Sequence, residues 1–235
     1  DNFGSLIRPD YADATEILRI VEQKELTTDL FLRNTHERVL LALKQADYLS
    51  SKYHVVVANP PYMGSAGMNG RLASWAKNNY PDSKADLFAM FMERNLDLSV
   101  KQGMIAMITM QSWMFLSSYS ALRKKLFGAN RLIQMFHTGP GLFTDLGAFN
   151  VLTTNFIIRK SCSTSKNATC FIKANDTPDY KDKIKALHDH ASHIFISIAD
   201  LKSVPGFPLI YWLSTSAFSN FERLKLLGDI YPPKQ

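Results

Sequence analysis

The sequence lacks three features that would each narrow its function. No apolar run approaches the roughly 18 residues that a membrane-spanning helix needs, and the run 103–110 is far too short. The first residues mix Asp, Arg and Pro, so no secretory signal peptide is predicted. Only two cysteines are present, Cys162 and Cys170, and no metal-ligand spacing surrounds them. These absences predict a reduced, cytoplasmic protein with no disulfide framework, membrane span or metal site.

The composition is that of an ordinary globular protein. Of 235 residues, 46% are hydrophobic and 20% are charged, which is enough chain for one good-sized core and a small appended lobe. The net charge of +6 is compatible with a nucleic-acid partner but does not require one. Because the chain starts at Asp1 and not at Met, we expect it to be an excised or processed piece.

Short apolar strands alternate with amphipathic helices after residue 50. This alternation predicts an α/β fold with a doubly wound, Rossmann-like sheet. The first strand is a continuous apolar run, which is typical of a strand buried on both faces. The first strands of such a fold would lie upstream of Asp1, so we expect only part of the sheet. The strands are predicted at 54–58, 104–109, 131–136, 151–159 and 170–173, and the helices between them at 83–100 and 117–127.

Two further regions flank this pattern. Helices are predicted at 15–21 and 28–50, before the first strand. After Pro178 the pattern weakens to a helix, a short strand and a last helix. We expect residues 1–175 to be the C-terminal part of a catalytic domain, with a helical insertion at about 10–50. Residues 176–235 are then an extension or the start of a following domain.

The most informative motif follows the strand 54–58 directly and reads Asn59-Pro60-Pro61-Tyr62. In open α/β sheets, ligands bind beyond the carboxyl ends of the strands. The two prolines fix their own φ angles and bias Asn59 toward an extended conformation. The Asn59 side chain and the Pro60 carbonyl are therefore held as two acceptors. The glycine-rich segment 63–70 that follows predicts a mobile loop.

This motif suits methylation of a conjugated exocyclic amine. The nitrogen must become more tetrahedral to attack a methyl sulfonium, and two acceptors against its two N–H bonds favour that change. Tyr62 offers a flat face for stacking, and a base must leave the duplex to reach such a site. The same four residues can also form a plain turn after a strand.

With these residues on record, the chain resembles the S-adenosylmethionine-dependent amino-methyltransferases in their adenine-N6 branch. More closely, it resembles the adenine-specific methyltransferases of bacteriophage-exclusion and phage-growth-limitation systems. The resemblance covers about residues 1–160. It implies S-adenosyl-L-methionine as cofactor, double-stranded DNA as substrate, and partners from a defence system in the bacterial cytoplasm. The matching segments are 1–7 (DNFGSLI), 59–63 (NPPYM), 84–88 (KADLF), 103–116 (GMIAMITMQSWMFL) and 138–160.

The resemblance also implies roles for residues at the target base. Asn59, Pro60, Pro61 and Tyr62 match the catalytic motif. Phe143 resembles the aromatic residue that sandwiches the flipped base opposite Tyr62, although a core aromatic is an equal alternative for it.

On the cofactor side, the resemblance implies contacts from five residues. Asp1 corresponds to the acidic residue that contacts the adenine of the cofactor, with Phe3 nearby. Asp86 and Leu87 match a later motif beside the cofactor pocket, and Asn59 borders it. Asp86 can equally be a favourable charge at a helix start.

Two departures from the family pattern limit what this chain can do alone. The glycine-rich cofactor loop and the acidic residue for the ribose have no counterpart upstream of Asn59. We therefore expect weak cofactor binding and no turnover by the isolated chain. Three functions stay open: adenine-N6 methylation of DNA, the same chemistry on RNA or a protein glutamine, and a non-catalytic DNA-binding or assembly module. The recognition sequence and the oligomeric state are not encoded in a readable form.

Overall fold

The computed structural model describes residues 3–9, 14–23, 30–143, 151–161 and 168–223. It divides into two compact units, residues 1–53 and 54–235, which are treated separately below. Among the helices of these described ranges, none combines the length and the apolar character needed to cross a lipid bilayer.

The first unit is helical, as the sequence predicts. After a 3-10 turn at Gly4–Leu6, it contains α1 (Ala14–Glu22) and α2 (Leu30–Ser50). Polar contacts join the two helices: the Thr15 hydroxyl donates to the Asp47 carboxylate at 2.6 Å, and Lys44 pairs with Glu22 at 3.3 Å. Both partners of each contact lie on the facing sides of the pair, so the insertion predicted at about 10–50 forms a helical hairpin.

The second unit alternates strands and helices. Its strands form one six-stranded sheet in the order β1-β2-β4-β3-β5-β6. The strands are β1 (Tyr53–Ala58), β2 (Ser99–Met110), β3 (Arg131–Gly139), β4 (Thr153–Arg159), β5 (Ala168–Lys173) and β6 (Ile194–Ser197). The helices are α3 (Gly70–Asn79), α4 (Leu87–Leu98), α5 (Ser120–Gly128), α6 (Tyr180–His188), α7 (Ile198–Lys202) and α8 (Thr215–Arg223).

The α/β fold class is confirmed, and the sheet is mixed. The strand β4 lies between β2 and β3 and runs antiparallel to both, so that Phe156 faces Met107 on one side and Met135 on the other. By contrast, β3 and β5 are parallel. The carboxyl ends of β2 and β3 therefore meet at one edge of the sheet, where Met110 and Gly139 both pair with Thr153.

The burial predicted for the first strand is wrong in this chain. The strand β1 lies at the edge of the sheet, and its Val55 and Val57 side chains are 60% and 74% exposed. A continuous apolar run predicts burial on both faces only if other elements cover those faces. No element among the described residues of the second unit covers Val55 and Val57.

The core of the second unit lies on the other face of the sheet. It includes Phe88 and Met92 of α4, Leu122 and Leu126 of α5, and alternating residues of the strands. The chain after β6 also contributes to this core. Its fully or nearly fully buried side chains are Ile198, Leu201, Val204, Phe207, Leu209, Tyr211 and Phe218.

Arg123 joins that last segment to the rest of the core. Its guanidinium is buried and donates to four main-chain carbonyls at 2.6–2.8 Å, with no carboxylate among them. Two of the carbonyls belong to Gly206 and Phe207, and two to Trp113 and Leu116 after β2. Because an uncompensated buried cation is costly, these four acceptors tie the segment to the end of β2.

Candidate functional site

The Asn-Pro-Pro-Tyr motif leaves both predicted acceptors available. It follows β1 as an extended segment without helix or strand. The Asn59 side chain is exposed, and no described residue hydrogen-bonds to it. Pro60 is buried, yet no backbone N–H of the described residues donates to its carbonyl. The two oxygens can therefore accept hydrogen bonds from a ligand without first breaking bonds within the protein.

Tyr62 combines a packed ring with an unsatisfied hydroxyl. Its ring stands edge-on to Phe88 with centroids 6.2 Å apart, so the aromatic packing holds its plane. Its hydroxyl is buried and has no hydrogen-bond partner within the described structure. Burial raises the pKa of this phenol to about 12, so it is neutral at physiological pH. A buried polar atom without a partner costs about 1–3 kcal/mol and is expected mainly where a ligand binds.

Asp86 anchors the residue that follows the motif. It is the N-cap of α4, and its carboxylate accepts from the N–H of Phe88 at 3.2 Å and of Met63 at 3.0 Å. In the other direction, the N–H of Leu87 donates to the Met63 carbonyl at 3.1 Å. Burial raises the pKa of Asp86 even though these N–H groups act to lower it. The carboxylate thus supports the motif from behind.

The glycine-rich segment 63–70, predicted as a mobile loop, is attached at several points. The N–H of Ser65 donates to the Ala85 carbonyl at 2.9 Å, and Gly64 forms a β-bridge with Asp86. A 3-10 turn follows at Ser65–Gly67. The Asn69 side chain then caps α3, a helix that the sequence prediction missed. An Asn cap ahead of apolar residues at helical spacing is the signal that would have found it.

A second polar group lies where β2 and β3 end. His137 is buried, with Nε2 2.6 Å from the Gln111 side-chain oxygen and Nδ1 3.0 Å from the Tyr211 hydroxyl. Burial lowers the pKa of His137 to about 4, so the ring is neutral. Since Gln111 presents an oxygen, Nε2 carries the proton and Nδ1 accepts from Tyr211. Sequence analysis missed this network, because only Gln111, directly after a strand, carries a local signal.

Phe143 follows a loop with a tightly constrained backbone. Gly139 and Gly141 adopt φ angles of +63° and +75°. A Cβ on Gly139 would lie 2.7 Å from the Asn175 Cα, and one on Gly141 would lie 2.3 Å from the Pro178 carbonyl oxygen. Only glycine fits these positions. Phe143 itself is half-buried, and its pairing with Tyr62 across a base stays a prediction.

The cofactor-side predictions are less accessible. Asp1 lies outside the described residues. Phe3 belongs to the first unit and is half-buried, and its place beside the cofactor stays a prediction. Leu87 is buried at 9% exposure, next to Asp86. In the described ranges, no group of three or more His, Cys, Asp or Glu side chains is placed to hold a metal ion. Cys170 is a free thiol, and Cys162 is not among the described residues.

A concave surface of about 300 Å³ lies on the open face of the sheet. Its lining residues alternate along the strands, as Ala106 and Ile108 do in β2 and Gln134 and Phe136 do in β3. Only Asn59 comes from the motif. This surface is therefore the uncovered middle of the sheet, and the strand-end position expected for a ligand is a different place.

Comparison with known families accounts for this combination of sheet and motif. Residues 11–143 match the model of the Eco57I restriction-modification methylase family. The match covers more than half of the chain, and the chain belongs to this family.

Curated relatives extend the similarity along the chain. It is 36% identical over 228 residues to the adenine-specific methyltransferase BrxX of Escherichia coli O9:H4 (strain HS), which covers 96% of this chain and 19% of BrxX. It is 35% identical over 225 residues to the adenine-specific methyltransferase PglX of Lacticaseibacillus casei (strain Zhang), covering 90% of this chain and 18% of PglX. The chain spans about one fifth of the length of these relatives. The predicted relationship to this group is confirmed.

Solved structures agree on the fold. A structure from work on complex assembly and conformational transition of the type I R-M system has a TM-score of 0.54 at 13% identity, over 92% of this chain and 55% of that one. A DrdV–DNA complex has a TM-score of 0.50 at 13% identity, over 77% of this chain and 20% of that one. At such low identity these similarities establish the fold alone.

Proposed function

We propose that the protein containing this chain transfers a methyl group from S-adenosyl-L-methionine to N6 of a flipped-out adenine in double-stranded DNA. In this proposal the chain supplies the side of the active site that binds the target base. The carrying observation is the pair of available acceptors on Asn59 and Pro60, beside the unpartnered hydroxyl of Tyr62. The names of the two curated relatives and the DNA in the DrdV complex support the choice of substrate.

The acceptors act on the geometry of the adenine nitrogen. The Asn59 side-chain oxygen and the Pro60 carbonyl each accept one N–H of the exocyclic amine, which favours a tetrahedral nitrogen with its lone pair free. Each acceptor is already in place before the base arrives, so its contribution is not spent on reorganisation. Removal of one comparable preorganised group in other enzymes costs about 10²–10³ in turnover. The nitrogen's extra proton passes to Asn59 or solvent after transfer.

Three neighbours preorganise these acceptors. Pro60 and Pro61 restrict the backbone, and Asp86 fixes the N–H of Met63 directly after Tyr62. Tyr62, held by Phe88, stacks on the base from one side. Phe143 is proposed to cover the opposite face. No acidic group with a tuned pKa is needed in this scheme, and none is proposed.

The bound cofactor supplies the methyl group as an electrophilic sulfonium. On this chain the proposed contacts come from Asn59, from Asp86 with Leu87, and from Asp1 with Phe3. Asn59 fits, since its amide is exposed and unengaged. Asp86 fits less directly, because its carboxylate already accepts two backbone N–H groups. We assign Asp86 mainly to holding the segment that borders the cofactor. Proteins of the same defence system are proposed as partners.

The test is a methyl-transfer assay with the full-length protein on duplex DNA, ribosomal RNA and a release-factor protein. We expect labelled methyl groups to appear in N6-methyladenine of duplex DNA. Asn59→Ala should reduce turnover at least about a hundredfold. Asn78→Ala, on the exposed end of α3, is the matched control and should leave it unchanged. Full methylation by Asn59→Ala would remove Asn59 from the mechanism. Label found only in RNA or protein would instead favour those substrates.

A further inference from the structure

Lys183 of α6 is buried in a way that is unusual for a lysine. Its side chain is only 2% exposed. Its ammonium donates to three main-chain carbonyls, those of Thr138 at 2.5 Å, Ala174 at 3.0 Å and Thr177 at 2.6 Å. Burial lowers its pKa from the ordinary value. A lysine is rarely buried without a strong reason, and here three carbonyl dipoles replace the lost water.

The three acceptors belong to two neighbouring strand ends. Thr138 is the penultimate residue of β3, while Ala174 directly follows β5, its parallel neighbour. Thr177 lies in the connection that leads to α6. The ammonium therefore joins the exits of two strands to the helix that follows. Both exits lie at the edge of the sheet where β2 also ends.

The segment that follows Thr138 is pressed against this same connection. Gly139 and Gly141 approach Asn175 and Pro178 so closely that neither position has room for a Cβ. The Thr138 hydroxyl also pairs with the Thr153 hydroxyl at 2.8 Å. The start of the segment 139–143 is thus fixed on one side by β4 and on the other by the residues that Lys183 holds. Phe143 stands at its end.

We propose that Lys183 is a positioning residue for the target base, because it fixes the backbone segment 139–143 that presents Phe143. This inference rests on the proposed function. It assigns a role in the site to a residue of α6, beyond the part of the chain that matches the family model. Lys183 does not touch the base and acts through the segment it holds.

The experiment compares Lys183→Met with Lys185→Met in the full-length protein. Lys185 lies on the same helix and is exposed, so it matches the loss of one charge. Four quantities are measured: cofactor affinity, kcat and KM for duplex DNA, fluorescence of 2-aminopurine at the target adenine, and hydrogen exchange in 139–143. For Lys183→Met we expect faster exchange in 139–143 and unchanged cofactor affinity. We also expect a smaller 2-aminopurine signal and a kcat/KM for DNA reduced about tenfold to a hundredfold.

A double variant separates positioning from a general loss of structure. If Lys183 acts through Phe143, the loss in Lys183→Met/Phe143→Ala equals that in Phe143→Ala alone, whereas independent roles would make the losses add. Additive losses, or a Lys183→Met variant that behaves like Lys185→Met, would overturn the proposal. If Lys183→Met does not fold, Lys183→Gln, whose amide still donates, carries the same comparisons. If the wild-type protein methylates no DNA, the proposed function fails, and exchange in 139–143 then decides whether Lys183 holds the segment.

Discussion

The contact between Asp86 and Met63 allows one expectation to be worked out in detail. In Asp86→Ala, two backbone N–H groups lose their acceptor. Loss of the α4 cap alone costs typically about 1 kcal/mol. The N–H of Met63 loses its bond to the carboxylate as well, and an unpaired buried donor costs about 1–3 kcal/mol. We therefore expect the free energy of unfolding to fall by about 2–4 kcal/mol in total.

A second helix cap provides the control. Asp179 caps α6 through the N–H of Lys181 at 2.8 Å, in an exposed position that touches no part of the motif. Asp179→Ala should therefore cost only about 1 kcal/mol. Asp86→Asn, which keeps a side-chain acceptor at the cap, should lose less than Asp86→Ala.

Urea unfolding followed by tryptophan fluorescence measures these differences, because all three tryptophans lie in the second unit. In the full-length protein, Asp86→Ala should also lower methyl transfer while Asp179→Ala does not. Equal losses of stability for the two alanine variants would refute the reasoning, since the contact to Met63 would then contribute nothing.

Three further expectations concern other buried polar groups. Because burial lowers the pKa of His137 from 6.5 to about 4, its native form binds fewer protons than its unfolded form between those pH values. Stability should therefore fall by roughly 3 kcal/mol as the pH drops through that window, and His137→Gln should flatten this part of the unfolding profile. Arg123→Met leaves four buried carbonyls without their donor, so denaturant unfolding should show a loss of at least about 3 kcal/mol, and a loss below about 1 kcal/mol would contradict its role. Tyr62→Phe removes an unpartnered buried hydroxyl and should leave the melting temperature equal or higher, whereas a marked decrease would mean that the hydroxyl has a partner in the free protein.

Local patterns predicted most elements of the fold correctly. The strand at 54–58 and the helices at 15–21 and 28–50 correspond to β1, α1 and α2 within a few residues. These elements have strong periodicity, which depends only on neighbours along the chain. The helix α3 was missed because its capping Asn69 lies in a glycine-rich stretch that reads as a loop.

The order and exposure of the strands could not be predicted in the same way. Nothing local to residues 153–159 indicates that β4 lies between β2 and β3, since this depends on which edges are free when it forms. The apolar run of β1 reports what the strand can bury. Whether Val55 and Val57 are actually covered depends on other elements, which a local pattern does not contain.

By itself, the sequence determined the chemistry available at the site. Asn59, Pro60 and Tyr62 are consecutive or nearly so, and the rigidity of proline and the position after a strand are local properties. Only the tertiary structure decided what holds those residues in place. Asp86 reaches Met63 across 23 residues and Lys183 reaches Thr138 across 45. Buried carboxylate and ammonium groups take whichever backbone partners the fold brings to them, because leaving them unpaired costs more than any local preference.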